Sequence, residues 1–397
     1  TVYLWAALFL LLWGGRFDAV IDSQNGVPFF APVFLLLWRR VSVLLLIHHV
    51  HQDQFRWRFR WPLAWLGRLL EGPVSRWVYR RSPIVTVSPT TRAEVRRRLH
   101  LPGAIYIVPN GIDTPDLHAL PIRAPAPSVV YLGRLVAQKR LELLLEAVAE
   151  IGERWPSLRV TIVGDGPERP RLERLAAQLK LEQRVRFTGW VSNEERSRLL
   201  GAAWLLVTPS AAEGWGLAVI EANAMGRPAL AFRVPGLMNS IVEDLNGWLV
   251  DSPQGLATAL DTHLGDLSDS ETAAALAVNC RRWADRFSWE RASQRMAGIV
   301  RGAVPLAVSP SRQRLRALVS DVATVVEVTA SGGLERVLER LLPCDLWELN
   351  GGTLRVLFQG RDERAAIEVL EEVGVSGLAQ TRAARTSDLL LGLREAR

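Results

Sequence analysis

Short, continuous apolar runs alternate with longer helical stretches along most of the chain, and this alternation limits the folds open to it. The run Val41 to Ile47 is almost entirely apolar, which is typical of a strand buried on both faces. Phe17 to Ile21, Ile84 to Val87 and Ala104 to Val108 are similar runs, separated by arginine-rich helical stretches. The order predicts βαβ units and therefore a parallel sheet.

A proline-rich segment, Pro115 to Pro127, predicts a linker, and a second alternating unit follows it. Its strands are predicted at Ser128 to Leu132, Leu158 to Val163, Val185 to Thr188, Trp204 to Thr208 and Pro228 to Phe232. Its helices are predicted at Leu141 to Arg154, Arg169 to Leu179, Glu194 to Ala202 and Leu217 to Met225. Two successive Rossmann-like domains place the carboxyl ends of their strands, where ligands bind, at a cleft.

The last part of the chain changes pattern and predicts a small α+β module. Its expected order is βαββαβ, as in ferredoxin-like folds, with a hairpin around Gly351-Gly352. The strands are predicted at Ala323 to Thr329, Leu346 to Asn350, Thr353 to Gln359 and Gly377 to Thr381, and the helices at Leu334 to Leu342 and Glu363 to Val373. We therefore predict an α/β chain with domains at residues 1–119, 120–303 and 304–397.

Composition favours a folded chain with anionic partners. Hydrophobic residues make up 49% of the sequence, and the net charge is +7. Nearly all of this basicity is arginine, since Lys139 and Lys180 are the only lysines. The two cysteines, Cys280 and Cys344, lie far apart, which predicts no disulfide framework and a reducing, cytosolic compartment.

The amino-terminal apolar run, Thr1 to Trp13, has no basic flank and is too short to span a bilayer. We expect a buried helix that ends at Gly14-Gly15. No run of about 20 apolar residues occurs in the sequence, so no transmembrane helix is predicted.

Cations and glycines follow two strands of the second unit. Gly133-Arg134 and then Lys139 come after the strand Ser128 to Leu132, a position that suits a pyrophosphate group. Solvated surface cations would give the same pattern. Gly164-Asp165-Gly166 is a glycine-rich turn after the next strand, where a backbone can approach a ligand closely or where the glycines serve only the turn.

The segment Pro209 to Glu221 carries the strongest local signal. Glu213 lies in a loop, Gly214, Trp215, Gly216 and Leu217 open a helix, and Glu221 lies one turn inside it. Free amides at a helix start bind anions, and carboxylates nearby accept hydrogen bonds from sugar or ribose hydroxyls. A capping loop with one exposed and one salt-bridged glutamate is the structural alternative.

His48 and His49 end the strand Val41 to Ile47, with His51 just after them. At a strand's carboxyl edge they suit a general acid or base, a hydrogen bond to the reacting sugar, or a purely structural role. No matching Cys/His cluster occurs, and no Asp-x-Asp pair is present. We therefore expect no metal and no bound cofactor, with Arg134 and Lys139 neutralising the phosphates instead.

The stretch Gln54 to Arg81 interleaves seven arginines with tryptophans. This pattern suits a membrane interface, and it also fits stacking on nucleic-acid bases or a helix with core tryptophans. The tryptophans are Trp57, Trp61, Trp65 and Trp77.

Together these motifs, in this order, resemble the family 4 glycosyltransferases over roughly residues 17–302. The resemblance rests on Val85 to Asp113, Gly133 to Lys139, Gly164 to Pro167 and the Glu213/Glu221 pair. It implies the GT-B fold of two Rossmann-like domains and a retaining, metal-independent transfer of sugar from a nucleotide-diphosphate donor.

The resemblance also implies roles for single residues. Arg134 and Lys139 would hold the diphosphate, Glu213 would contact the donor sugar, and Glu221 would contact the ribose. The amides of Gly214 to Leu217 would support the sugar and phosphates. One of His48 and His49 would approach the sugar, and the stretch Asp22-Ser23-Gln24-Asn25 would line the acceptor side.

The expected partners are a nucleotide-sugar donor and a glycan or lipid-linked acceptor of the cell envelope, with peripheral contact to the inner face of the plasma membrane and no nucleic acid. The sequence departs from the family in three ways: roughly 80 residues of first strands are expected before Thr1, Arg140 replaces a usual glycine, and the tail is additional. A non-catalytic sugar-nucleotide-binding module and a GT-B epimerase are the alternatives.

Overall fold

Three sheets organise the chain in the computed structural model. The structure describes residues 2–38, 40–102, 105–113, 122–308, 323–329, 336–337, 340, 345–350, 353–359, 363–375, 379–383 and 394–395. Contacts divide the chain into two compact units, residues 110–289 and residues 1–109 with 290–397. Most of the predicted proline-rich linker, together with Cys344 and the turn Gly351-Gly352, lies outside the described residues.

The amino-terminal sheet has four parallel strands in sequential order, as the βαβ pattern predicts. Its strands are β1 (Ala19–Gln24), β2 (Ser42–Ile47), β3 (Ile84–Thr86) and β4 (Ile105–Ile107). Its helices are α1 (Val2–Trp13), α2 (Ala31–Phe34), α3 (Gln52–Arg58), α4 (Trp61–Leu69), α5 (Ser75–Val78) and α6 (Pro89–Glu94), with π-helical turns at Leu70–Val74 and Val95–Leu99.

Helix α1 forms where the sequence predicts it, but the expectation that it is buried is wrong. Leu10 is its only buried residue, whereas Leu4 and Trp5 are about as exposed as charged surface residues. The helix meets its neighbours along one narrow stripe only, and the rest of its apolar surface stays exposed. Here Leu10 joins the core cluster that contains Leu35 and Val43.

The second unit is a three-layer α/β domain with a six-stranded parallel sheet. Its strands are β5 (Ser128–Leu132), β6 (Arg159–Val163), β7 (Val185–Gly189), β8 (Leu205–Thr208), β9 (Ala229–Phe232) and β10 (Gly247–Val250). Its helices are α7 (Leu141–Glu150), α8 (Arg169–Gln178), α9 (Asn193–Ala202), α10 (Leu217–Ala224), α11 (Leu237–Ser240), α12 (Leu256–Asp266) and α13 (Ser270–Ala284). Separate apolar clusters on the two faces bury strand side chains against helices, as in a doubly wound fold.

Helix α14 (Trp289–Val308) returns the chain to the first unit. Ile299 and Ala303 pack in a cluster with Leu44, Val85 and Tyr106 of the amino-terminal sheet. The unit boundary therefore lies at residues 289/290, whereas the sequence places the domain boundary at 303.

The carboxyl-terminal module is an antiparallel sheet in the order β14-β11-β13-β12-β15. Its elements are β11 (Ala323–Thr329), β12 (Leu346–Asn350), β13 (Thr353–Gln359), α15 (Glu363–Glu372), β14 (Ala379–Ala383) and β15 (Arg394–Glu395). The order of the first four strands is the ferredoxin-like one that the sequence predicts. Most of the helix predicted at Leu334 to Leu342 lies outside the described residues.

Within the part of the chain that the structure describes, no helix combines the length and the apolar character that a bilayer crossing requires.

Candidate active site

The carboxyl ends of β5 and β8 lie side by side in the second sheet. The strand order reverses between them, and open α/β sheets bind ligands at such a switch point. The loop that starts at Gly133 follows β5, and the loop that ends at Glu213 follows β8. Two hydrogen bonds of 2.9 Å join the loops: Ala211 N–H donates to the Gln138 carbonyl, and Gln138 Nε2 donates to the Ala212 carbonyl. The fold therefore brings two of the predicted motifs into one surface.

Lys139 and Glu213 form an ion pair across these loops, from Nζ to Oε1. Their side chains are 18% and 16% exposed, so water screens the pair only partly. Ser210 Oγ also donates to Glu213 Oε1 at 2.9 Å, and Ser210 Oγ lies 3.2 Å from Thr208 Oγ1. The two residues that the resemblance assigns to diphosphate and sugar are thus paired with each other.

Arg134 is exposed, and its backbone is fixed from below by Tyr131. The buried Tyr131 hydroxyl donates to the Arg134 carbonyl at 3.1 Å. Burial raises the pKa of Tyr131 strongly, the Glu213 carboxylate raises it further, and Arg134 lowers it. Tyr131 therefore stays a neutral donor, and the side chain of Arg134 is exposed to solvent.

The turn Gly164-Asp165-Gly166 stacks directly on the turn after β5. Gly133 N–H donates to the Val163 carbonyl at 3.0 Å. Gly164 has φ +129°, and a Cβ on it would lie 2.0 Å from the Gly133 carbonyl oxygen. Asp165 Oδ1 accepts from Gly166 N–H at 2.7 Å. The group that approaches Gly164 closely is thus the neighbouring turn, and donor contact by these three residues stays a prediction.

A methyl group at Gly164 should force these two turns apart. We expect Gly164→Ala to lower the free energy of unfolding by about 3 kcal/mol, because backbone must move in a packed region and the φ value disfavours a side chain. Gly265→Ala is the matched control, since nothing lies within 4 Å of the Cβ added there. Urea unfolding of both variants checks this, and equal stabilities would contradict it.

Helix α10 begins at this site. Gly216 is its N-cap with φ +85°, and a Cβ there would meet Ser240 Oγ at 2.7 Å. Val219 N–H donates to the Gly216 carbonyl at 2.9 Å, and amides at a helix start suit an anion. The Trp215 side chain, in contrast, is 3% exposed and packs edge-on against Phe287 at 5.0 Å between ring centroids. Its predicted role in binding the donor is therefore limited to its backbone, because its ring belongs to the core.

Glu221, one turn inside α10, is mostly buried and pairs with Arg196 of α9 at 3.4 Å. Burial raises the pKa of Glu221, Arg196 opposes this rise, and Asp113 adds to it. Sequence reasoning misses Arg196, since it stands in a helix that carries several glutamates and arginines near its start. Only the tertiary structure places it beside Glu221.

Arg140 stands where the family usually has a glycine, and its backbone adopts the conformation that a glycine would adopt. Its φ is +50°, in the left-handed region that glycine adopts freely and other residues adopt at a cost. Its guanidinium lies 5.5 Å from the ring centroid of Phe232, which offsets part of that cost. The turn that carries Lys139 is therefore kept despite the substitution.

His48 and His49 lie in the amino-terminal unit, directly after β2, and both are half-buried. Burial lowers the pKa of His48, so the imidazole is neutral near neutral pH. The loop that follows is tied to the fully buried Glu71, which accepts from His51 N–H at 2.6 Å and from Gln52 Nε2 at 2.8 Å. Sequence reasoning misses Glu71, which stands in the π-helical turn after α4.

Asp22 is buried and holds the loop after β1 together. It accepts from Phe29 N–H at 3.0 Å, from Ala31 N–H at 2.9 Å and from the Tyr79 hydroxyl at 2.5 Å. These three donors occupy its carboxylate, and a place on the acceptor side for the stretch Asp22-Ser23-Gln24-Asn25 stays a prediction. Gln24 is fully buried as well.

Among the described residues, no three histidine, cysteine, aspartate or glutamate side chains lie close enough together to hold a metal ion. Cys280 is a buried free thiol, and burial raises its pKa to about 12.

Comparisons with known proteins agree with the fold and the motifs. The model of glycosyltransferase family 4 matches residues 2–115, and that of glycosyl transferases group 1 matches residues 116–283. The chain is 28% identical to alpha-D-kanosaminyltransferase of Streptomyces kanamyceticus, over 72% of this chain and 77% of the relative. It is 30% identical to a GDP-mannose-dependent phosphatidylinositol monomannoside mannosyltransferase of Mycolicibacterium smegmatis, over 68% and 74% of the two chains.

A solved structure supports the same fold. HepE of Anabaena in complex with UDP superposes with a TM-score of 0.60 at 20% identity, covering 74% of this chain and 81% of HepE. Two parallel-sheet domains of this kind make the GT-B fold, to which this chain adds the small antiparallel module. The chain therefore belongs to glycosyltransferase family 4, and it is a GT-B glycosyltransferase that uses a nucleotide-sugar donor.

Proposed function

We propose that the chain transfers a hexose from a nucleotide-diphosphate-sugar to an acceptor hydroxyl with retention of configuration and without a metal ion. The observation that carries the proposal is the Lys139–Glu213 ion pair at the switch point of the donor-side sheet. Binding of the donor would separate this pair, with the diphosphate on the ammonium group and a sugar hydroxyl on the carboxylate.

The leaving diphosphate is stabilised by positive charge on groups that do not have to reorganise during the reaction. Lys139, the exposed side chain of Arg134 and the amides at the start of α10 would supply it. Preorganised groups of this kind can stabilise a departing anion without a metal ion. This is the basis for proposing metal independence, together with retention by attack of the acceptor on the face that the diphosphate leaves.

The remaining assigned side chains would position the substrates. Glu213 would orient the donor sugar, Glu221 would accept from the ribose hydroxyls, and one of His48 and His49 would approach the sugar. A neutral His48 suits hydrogen bonding rather than charge pairing, because burial lowers its pKa. No observation favours the alternatives of an epimerase or a non-catalytic module.

A thermal-shift series tests the donor class. The chain is heated with UDP, GDP or ADP and their sugars, with a chelator present, because a ligand selective for the folded state raises the melting temperature. A shift with one nucleotide in chelator supports the proposal, and NMR of the transferred anomeric carbon then reads the configuration. If no nucleotide raises the melting temperature until a divalent cation is added in excess of the chelator, metal independence is excluded.

We also propose that the acceptor is a lipid-linked or cell-envelope glycan reached at the inner face of the plasma membrane. The mannosyltransferase relative acts, by its name, on a phosphatidylinositol mannoside. On this chain Trp61, Trp65 and Trp77 are 81%, 57% and 66% exposed, which excludes the core interpretation of these tryptophans. Exposed arginines accompany them, at positions Arg60, Arg76, Arg80 and Arg81.

Replacing two of these tryptophans should release the chain from vesicles. We expect the double change Trp61→Ser and Trp65→Ser to weaken binding to anionic vesicles about tenfold, since each ring buries large apolar area at an interface. Trp190→Ser is the matched control, because Trp190 is 76% exposed and lies in the other unit. Co-sedimentation with anionic and with neutral vesicles checks this. Equal binding to both kinds of vesicle would show that the arginines do not contribute to membrane contact.

A further inference from the structure

We infer that Arg196 is a positioning residue for the donor, which holds the Glu221 carboxylate ionised and oriented so that it accepts both ribose hydroxyls. The inference rests on the proposed role of Glu221 and adds a residue to it. Arg196 belongs to α9, and its Nη1 lies 3.4 Å from Glu221 Oε1.

The environment of Glu221 explains why it needs such a partner. Its side chain is 17% exposed, so water contributes little to keeping it charged. Burial raises its pKa, and among the described residues two charged groups act on it, Arg196 from α9 and Asp113 from the segment after β4. Asp113 raises the pKa as well, which leaves Arg196 as the group that favours the carboxylate.

The protonation state matters for a ribose diol. An ionised carboxylate is an acceptor at both oxygens, whereas a protonated one has become a donor at one of them. The contact at Glu221 Oε1 leaves Oε2 for the ligand, and the carboxylate can accept from more than one donor at each oxygen. Arg196 itself need not touch the nucleotide for this effect.

The pH dependence of nucleotide binding tests the inference. Removal of the cation raises the pKa of Glu221 further, so binding should fall as the pH drops and should recover as the pH rises. For Arg196→Gln we expect the affinity for UDP or GDP to drop about tenfold more than that of the wild type between about pH 8 and pH 5.5, because a larger share of Glu221 is protonated at the lower pH. Arg196→Lys should restore the wild-type profile, because it returns the charge.

Two controls separate this role from a structural one and from failure of the proposed function. The acid-side loss should disappear in Glu221→Gln and with the 2′,3′-dideoxynucleoside diphosphate, since each lacks one side of the contact. Weaker binding of Arg196→Gln by the same factor at every pH would overturn the inference and indicate a direct contact or a packing defect. If the wild type binds neither UDP nor GDP at any pH, the proposed function fails instead.

Discussion

Lys139→Ala should weaken the binding of a nucleoside diphosphate about 100-fold, while Lys180→Ala should leave it unchanged. A charge-assisted hydrogen bond that is mostly shielded from water contributes about 1.5–3 kcal/mol, and 1.4 kcal/mol is a factor of ten in affinity. Lys139 is 18% exposed and stands at the switch point, whereas Lys180 is exposed on the surface beyond α8. These two are the only lysines of the chain, so the two variants remove the same kind of side chain from two different positions.

Titration calorimetry with UDP and GDP measures this directly. The Lys139→Ala change also leaves Glu213 without its cation, so part of the loss reflects repulsion between that carboxylate and the diphosphate. Lys139→Arg separates the two effects, because it keeps a positive charge near Glu213 with a different shape. Equal affinities for Lys139→Ala and Lys180→Ala would exclude the diphosphate site proposed here.

The buried strands were predictable because their signal is local. Every predicted strand from Ser128 to Phe232 is present within about two residues, since a strand buried on both faces must be a continuous apolar run. The order of the four predicted strands in the tail is the ferredoxin-like one as well. The exposure of most of α1 was not predictable, because the sequence of an apolar helix does not show which neighbours cover it.

The candidate site shows a similar division. Position after a parallel strand was enough to place Arg134, Lys139 and Glu213 at one sheet edge, because strand ends meet there. Pairings between distant segments were not visible in the sequence. Arg196 and Glu71 are such cases, since each acts on a group that lies far away along the chain.

Glu213→Gln should separate binding of the diphosphate from turnover of the donor sugar. The Glu213 carboxylate forms an ion pair with the ammonium group of Lys139 and so competes with a diphosphate for it. The neutral amide ends this competition, so we expect the affinity for UDP or GDP to rise about fivefold, which corresponds to about 1 kcal/mol for a partly shielded pair. Turnover should nevertheless fall about 100- to 1,000-fold, the usual effect of losing one preorganised polar contact in a transition state.

The two opposite changes make this test specific. A collapsed loop would weaken both binding and turnover, whereas loss of a group that contacts only the sugar leaves the diphosphate site intact. Ser210→Ala is the matched control, because Ser210 donates to the same Glu213 oxygen at 2.9 Å and its removal keeps the carboxylate charged. We expect a small loss of turnover there and no gain in nucleotide affinity. Parallel loss of both properties in Glu213→Gln, at an unchanged melting temperature, would contradict the competition between the Glu213 carboxylate and the diphosphate for Lys139.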